Sequence, residues 1–162
     1  MQGRTLFGLT VVLGMAMSTA AAPVEQPYDL IRCSSGTFVM VSASDELTVG
    51  SFEEFGIVRS NHQNKLFDNW PFHCVGIQRV MGSQATVSGY CKYLAPNGDF
   101  VVGEFTSVGT EGKWRFLQGT GKWKGIKGGG STEPTVTRIQ SITPGTFQVC
   151  GGAMGTFTLP AD

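Results

Sequence analysis

The chain has 162 residues with 12 basic and 12 acidic side chains, 15% charged residues and 23 glycines. Typical domains carry about 25% charged residues and about 7% glycine, so this chain is poor in charge and rich in glycine. The even balance, without a basic block, argues against a nucleic-acid partner, and a hydrophobic share of 41% excludes a disordered chain.

The N-terminus reads as a secretory signal. Arg4 precedes an apolar run over residues 6–17, and the small residues 18–22 offer a cleavage site after Ala20 or Ala21. That run falls short of the roughly 18–20 residues that span a membrane. Residues 1–21 are therefore expected to be removed, leaving residues 22–162 as one domain with no membrane span. The expected location is secreted or periplasmic, in a bacterium.

Further along, helical periodicity is weak and short β-branched and aromatic runs recur between turn residues. Residues 36–43 read as a strand, and residues 46–60 as one long strand or two short ones broken near Gly50 or Gly56. Residues 61–71 form a polar loop. Strands are expected over residues 73–81, 85–94, 99–107 and 113–118. Residues 119–130 read as a glycine-rich turn and bulge with Trp123 plugging the core. A strand near residues 136–139, then residues 146–151 and 156–159, complete the chain. About eight to ten strands joined by short turns predict an all-β antiparallel meander that hides its edges. The expected form is an eight-stranded closed or nearly closed β-barrel, with a β-sandwich as the alternative.

The cysteines Cys33, Cys74, Cys91 and Cys150 allow three disulfide pairings. Gly82-Ser83 suits a two-residue type II′ turn. Pairing Met81 with Gln84 then sets Cys74 opposite Cys91 at a non-hydrogen-bonded position, close enough for a bridge. That register favours Cys74–Cys91 and leaves Cys33–Cys150 to tie the first strand to a late one, as a closed barrel permits.

The next turn, residues 95–98, has proline followed by Asn-Gly. If Leu94 faces Asp99, one face of three strands carries Gly76, Gln78, Gly89, Tyr93, Val102 and Glu104. That face has one charge against four on the other and is assigned to the interior. Glu104 would then point inward beside Gly89 and Gly76, whose missing side chains leave space. A buried carboxylate must pair, protonate or meet water. Its functional reading is a ligand-orienting or acid/base group, with Tyr93, Gln78, Gly89 and Gly76 around it. The alternative is a structural carboxylate. One bulge at Asn97-Gly98 would instead turn Glu104 to solvent.

Other motifs point to no chemistry. Gly119-Thr120-Gly121-Lys122 lacks the G-x4-G-K-[S/T] spacing of a phosphate loop, and Trp123 stands where Ser or Thr belongs. His62, His73 and Asp68 match no zinc spacing, so neither a metal nor a cofactor is expected. No G-x-S-x-G is present. Phe67, Trp70 and Phe72 read as core plugs, with a ligand clamp as the alternative.

The run Phe116-Leu117-Gln118-Gly119-Thr120-Gly121-Lys122-Trp123-Lys124-Gly125-Ile126 resembles the GTGK-aromatic-x-G signature of the allene oxide cyclase and dirigent barrel superfamily. Residues 65–70, 72–76 and 96–100 resemble uncharacterised small secreted bacterial proteins with the same glycine motif. The resemblance implies an eight-stranded antiparallel barrel with a central cavity, often oligomeric, so a homo-oligomer is among the expected states. No catalytic residue of that superfamily aligns onto this chain, and fold likeness alone does not establish chemistry. The functional expectation is an exported barrel binding a small, largely apolar molecule. Two alternatives stand beside it: an isomerase- or cyclase-like enzyme using Glu104, and a non-catalytic envelope or interaction protein with a packed interior.

Overall fold

The computed structural model describes residues 23–44, 46–139 and 142–161. The expected export signal lies outside the described residues. Eight strands follow in order: β1 (Gln26–Ala43), β2 (Leu47–Ser60), β3 (Pro71–Met81), β4 (Gln84–Leu94), β5 (Phe100–Val108), β6 (Glu111–Gly119), β7 (Lys127–Ile139) and β8 (Thr146–Thr158). Each pairs antiparallel with its neighbour in the chain, and β8 returns to β1, so the sheet closes into a barrel. Closure removes both edges. The sandwich alternative is thereby set aside.

Both expected disulfides are formed. Cys74–Cys91 joins β3 to β4 with Cα atoms 4.0 Å apart, and Cys33–Cys150 crosses the β1/β8 seam with Cα atoms 4.1 Å apart. They lie on opposite faces of the wall. Cys74 and Cys91 point inward and are buried, whereas Cys33 alternates with the inward Arg32 and Ser34 and so faces out. Among the described residues no helix is long and apolar enough to cross a membrane.

β2 is the single long strand, unbroken through Gly50 and Gly56, while two strands exceed their expected limits: β1 starts at Gln26, and β7 starts at Lys127 inside the glycine-rich stretch. The glycines there let backbones approach. A Cβ on Gly129 would collide with the Trp114 carbonyl, and one on Gly130 with that of Met154. Gly128 also has φ +116°, a conformation open to glycine and strained for other residues.

Elsewhere inward glycines serve as seats for rings. A Cβ at Gly36, Gly50, Gly56, Gly76, Gly89 or Gly103 would meet the ring of Phe147, Phe38, Phe72, Phe52, Phe105 or Trp114, respectively. Large and small residues thus interlock across strands, which lets a narrow barrel hold many aromatics.

The third strand of the expected sheet segment is displaced by one residue. Gly82 has φ +55° and Met81 pairs with Gln84, as the type II′ reading requires. The following loop differs. Ala95, not Leu94, closes on Asp99 (Ala95 N–H to Asp99 O, 2.7 Å), and Leu94 pairs with Phe100. Gly98, at φ +89°, donates to Ala95 O at 3.0 Å, making a type I turn followed by a left-handed glycine. That three-residue loop, in place of the expected four-residue one, shifts the register by one residue and flips β5. Val101, Gly103, Phe105 and Ser107 therefore face in, and Glu104 faces out.

The two ends of the barrel differ. At one end the 61–70 loop, the 95–99 turn and the segment 120–126 converge, with a 3-10 turn at Gly121–Trp123. There Phe67, Trp70, Phe72, Phe116, Trp123 and Phe157 form a buried cluster with Tyr28, Leu30 and Val58. Phe67 sits at its centre, its ring 5.0 Å from those of Trp70 and Trp123 and 5.4 Å from that of Phe157. Its φ of +62° costs about 1–3 kcal/mol, which this burial and the loop's hydrogen bonds offset. At the other end lie the tight turns Gly82-Ser83 and Gly109-Thr110.

Candidate functional site

A cavity of about 840 Å³ occupies the second end and opens between the turns that carry Gly109, Thr110 and Gly145. Its volume falls within the roughly 300–1,000 Å³ common for small-molecule sites. β1, β2 and β8 supply Phe38, Phe52 and Phe147, β5 supplies Phe105, and β3 and β4 supply Gln78, Val80 and Val87. Period-2 alternation brings these side chains inward, and glycine seats tilt the rings against the wall. Beneath the floor, the aromatic end leaves a void of only about 20 Å³.

The floor is polar and charged. Arg32 of β1 lines both the cavity and the small void. Its Nη1 donates to the Tyr93 hydroxyl at 3.0 Å and approaches Cys91 Sγ at 3.8 Å, while its guanidinium carbon lies 5.3 Å from the Phe72 ring centroid. Its Nε is buried with no hydrogen-bond partner. Glu54 of β2 is buried and accepts a 2.8 Å hydrogen bond from Ser34 Oγ. One of its oxygens lies within 4.8 Å of both sulfurs of the Cys74–Cys91 bridge. The ion pairs among the described residues are Arg59–Asp68, His73–Glu53 and Arg115–Glu104, so Arg32 and Glu54 are near one another without direct pairing.

These neighbours govern ionisation. Burial works against the Arg32 charge, but the Tyr93 hydroxyl and the Glu54 carboxylate outweigh it and raise the guanidinium above its ordinary value. Burial, and then Tyr93, push the Tyr28 phenol well above the usual tyrosine range. Both groups keep their neutral-pH charge state. A cation and a carboxylate at the base of a chamber of mixed phenylalanine, valine, threonine and glutamine lining, with the Tyr93 phenol bonded to the cation from beneath, can orient a polar head while the rings face an apolar body.

The expected site residues are divided by this geometry. Tyr93 and Gln78 do face the interior, Tyr93 at the floor and Gln78 on the wall. Gly76 and Gly89 also face inward, but Phe52 and Phe105 cover them, so they seat rings and leave no ligand space. Glu104 does not enter the cavity. It pairs with the exposed Tyr90 across β4/β5 and bridges Arg115 on the outer face at 2.6 Å. The one-residue shift at Gly98 is the cause, and an inward acid/base role for Glu104 is overturned.

The remaining candidates lie elsewhere. Phe67, Trp70 and Phe72 are core residues. His73 is on the outer face, stacked on Phe55 and 2.7 Å from Glu53. His62 and Asp68 belong to the 61–70 loop, where Asp68 accepts from Ser60 N at 2.8 Å and Arg59 Nε at 3.2 Å. The one group of His, Cys, Asp and Glu close enough to share a cation among the described residues is Glu54, Cys74 and Cys91. Both cysteines are disulfide-bonded, and no thiolate is available for coordination. The segment 119–125 forms a 3-10 turn that buries Trp123, with Lys122 exposed.

Arg32, Ser34 and Glu54 escaped the sequence reading. A period-2 count back from Cys33–Cys150 pairing would have placed Arg32 and Ser34 on the face opposite the bridge. No protein-family model matches the chain, and no curated protein matches it either.

Proposed function

We propose that this is an exported β-barrel that binds a small, largely apolar molecule in its open end. The observation that carries the reading is the cavity of about 840 Å³, whose wall sets four phenylalanines and three valines among threonines and glutamines above the Arg32 and Glu54 floor. Exposed apolar surface of this kind gains by being covered, at about 25 cal/mol per Å² of apolar area removed from water. Two disulfides accord with an oxidising compartment. Resemblance to the allene oxide cyclase and dirigent superfamily rests on the glycine motif, and an eight-stranded antiparallel barrel is the fold it implies.

The test is a fluorescence titration with the neutral dye N-phenyl-1-naphthylamine. The wild type should enhance its emission in a saturable way. Val87→Trp, which fills the chamber from β4, should abolish that signal while leaving the unfolding transition cooperative. Unsaturable emission, or equal binding by Val87→Trp, would refute an interior site.

A further inference from the structure

We propose that the chamber selects ligands with an anionic head and that Arg32 holds that head; the inference rests on the cavity being a ligand site. Arg32 is the one cation lining the cavity among the described residues, and Glu54 is the one acid. A guanidinium carries five N–H donors in a planar fork. Here one hydrogen-bond partner is a phenol, Tyr93 at 3.0 Å, and Nε has none. The nearest carboxylate, Glu54, is engaged by Ser34 and lies outside ion-pair distance.

A buried cation with donors unspent calls for an acceptor. The planar fork suits a carboxylate or sulfonate, which it can grip with two parallel bonds. The Phe72 face under the guanidinium and the hydrogen bond to Tyr93 fix its orientation, so little side-chain entropy remains to be lost on binding. Above the head, Phe52 packs against Phe105 and Phe147, with ring centroids 6.2 Å apart in each pair, and together they present an apolar wall for a ligand body. The ligand class is therefore a small organic acid with an aromatic or aliphatic body. Glu54, held back from Arg32, tempers the positive field and disfavours a second negative charge near the floor.

A matched pair of dyes tests this. N-phenyl-1-naphthylamine is neutral, and 8-anilino-1-naphthalenesulfonate is the same framework with a sulfonate. Arg32→Gln should weaken the sulfonated dye about tenfold or more, the loss expected of a charge-assisted hydrogen bond. Its affinity for the neutral dye should change by less than about twofold, within ordinary additivity error. Arg32→Lys should recover part of the loss, and Glu54→Gln should tighten the sulfonated dye alone.

Equal weakening of both dyes by Arg32→Gln would assign Arg32 to the fold and overturn the inference. So would unchanged sulfonate affinity in that variant. If Arg32→Gln does not fold, a Glu54→Gln variant that binds both dyes as the wild type does would also overturn it. Wild-type protein that binds neither dye would instead refute the ligand site itself.

Discussion

The two ends of this barrel are built from the same eight strands, yet one is a packed core and the other a chamber. What differs is the connections. At the packed end the 61–70 loop and the 120–126 segment turn Phe67, Trp70 and Trp123 into the lumen, and Phe157 and Phe116 fill in around them. At the other end the turns Gly82-Ser83 and Gly109-Thr110 bring only small side chains to the rim. Wall alternation decides which residues face inward, and connection chemistry decides whether the space they surround is filled. Arg32, Tyr93 and the Cys74–Cys91 bridge mark the boundary between the two.

The largest effect should come from opening the seam that both ends share. Replacing Cys33 and Cys150 with alanine frees a loop of sequence separation 117 and should cost about 4–5 kcal/mol. Denaturant unfolding under oxidising conditions measures it. The same change at Cys74 and Cys91, separation 17, should cost about 3 kcal/mol. At the packed end, Trp123→Ala should cost about 3–5 kcal/mol, because the side chain is 2% exposed and touches several rings.

Smaller effects separate the ends further. Gly103→Ala places a Cβ against the Trp114 ring and should cost about 1–3 kcal/mol by overpacking. On the chamber wall, Val87→Thr should change stability by less than about 1 kcal/mol, since its environment is partly solvated. A chamber-wall loss as large as that of Trp123→Ala would erase the distinction between the ends.

The smallest effect concerns pH. The Ser60 N–H bond, assisted by Arg59 and opposed by partial desolvation, holds the Asp68 carboxyl below its ordinary value. The unfolded chain then binds the proton more readily, so this contribution is fully present above the unfolded pKa of about 4 and is lost as pH falls below it. Asp68→Asn should make the acid limb of the stability profile shallower, as read by thermal unfolding at a series of pH values.

Much of the wall was legible because its signals are local. Gly82-Ser83 set the β3/β4 register, and through it the Cys74–Cys91 bridge. Phe67, Trp70 and Trp123 declared themselves as core by being aromatic in otherwise polar or glycine-rich connections. The β5 register was not legible, because Pro96-Asn97-Gly98 fits both an even and an odd loop length. Only the hydrogen bond from Ala95 to Asp99 separates them. That one residue moved Glu104 from the lumen to a surface ion pair.

The floor was hidden for another reason. In β2 the faces Phe52-Glu54-Gly56-Val58 and Glu53-Phe55-Ile57-Arg59 are alike in sequence, and Phe55 and Ile57 are exposed on the outer wall. Hydropathy cannot orient such a strand. Neighbouring β1 holds the polar alternation Arg32, Ser34 with glycine beyond it, which lacks an amphipathic strand signal. Both orientations become readable only once the barrel closes and the Cys33–Cys150 bridge assigns a face.

The most direct test of a divided barrel is an amide chemical-shift map of the labelled protein titrated with N-phenyl-1-naphthylamine. Shifts are expected at Thr48, Gln78, Val87, Ser107 and Gly145, fading toward Arg32 and Tyr93 and absent at Phe67, Trp123 and Ile126. Shifts centred on the aromatic end, or on the outer wall around Phe55, Ile77 and Tyr90, would contradict it.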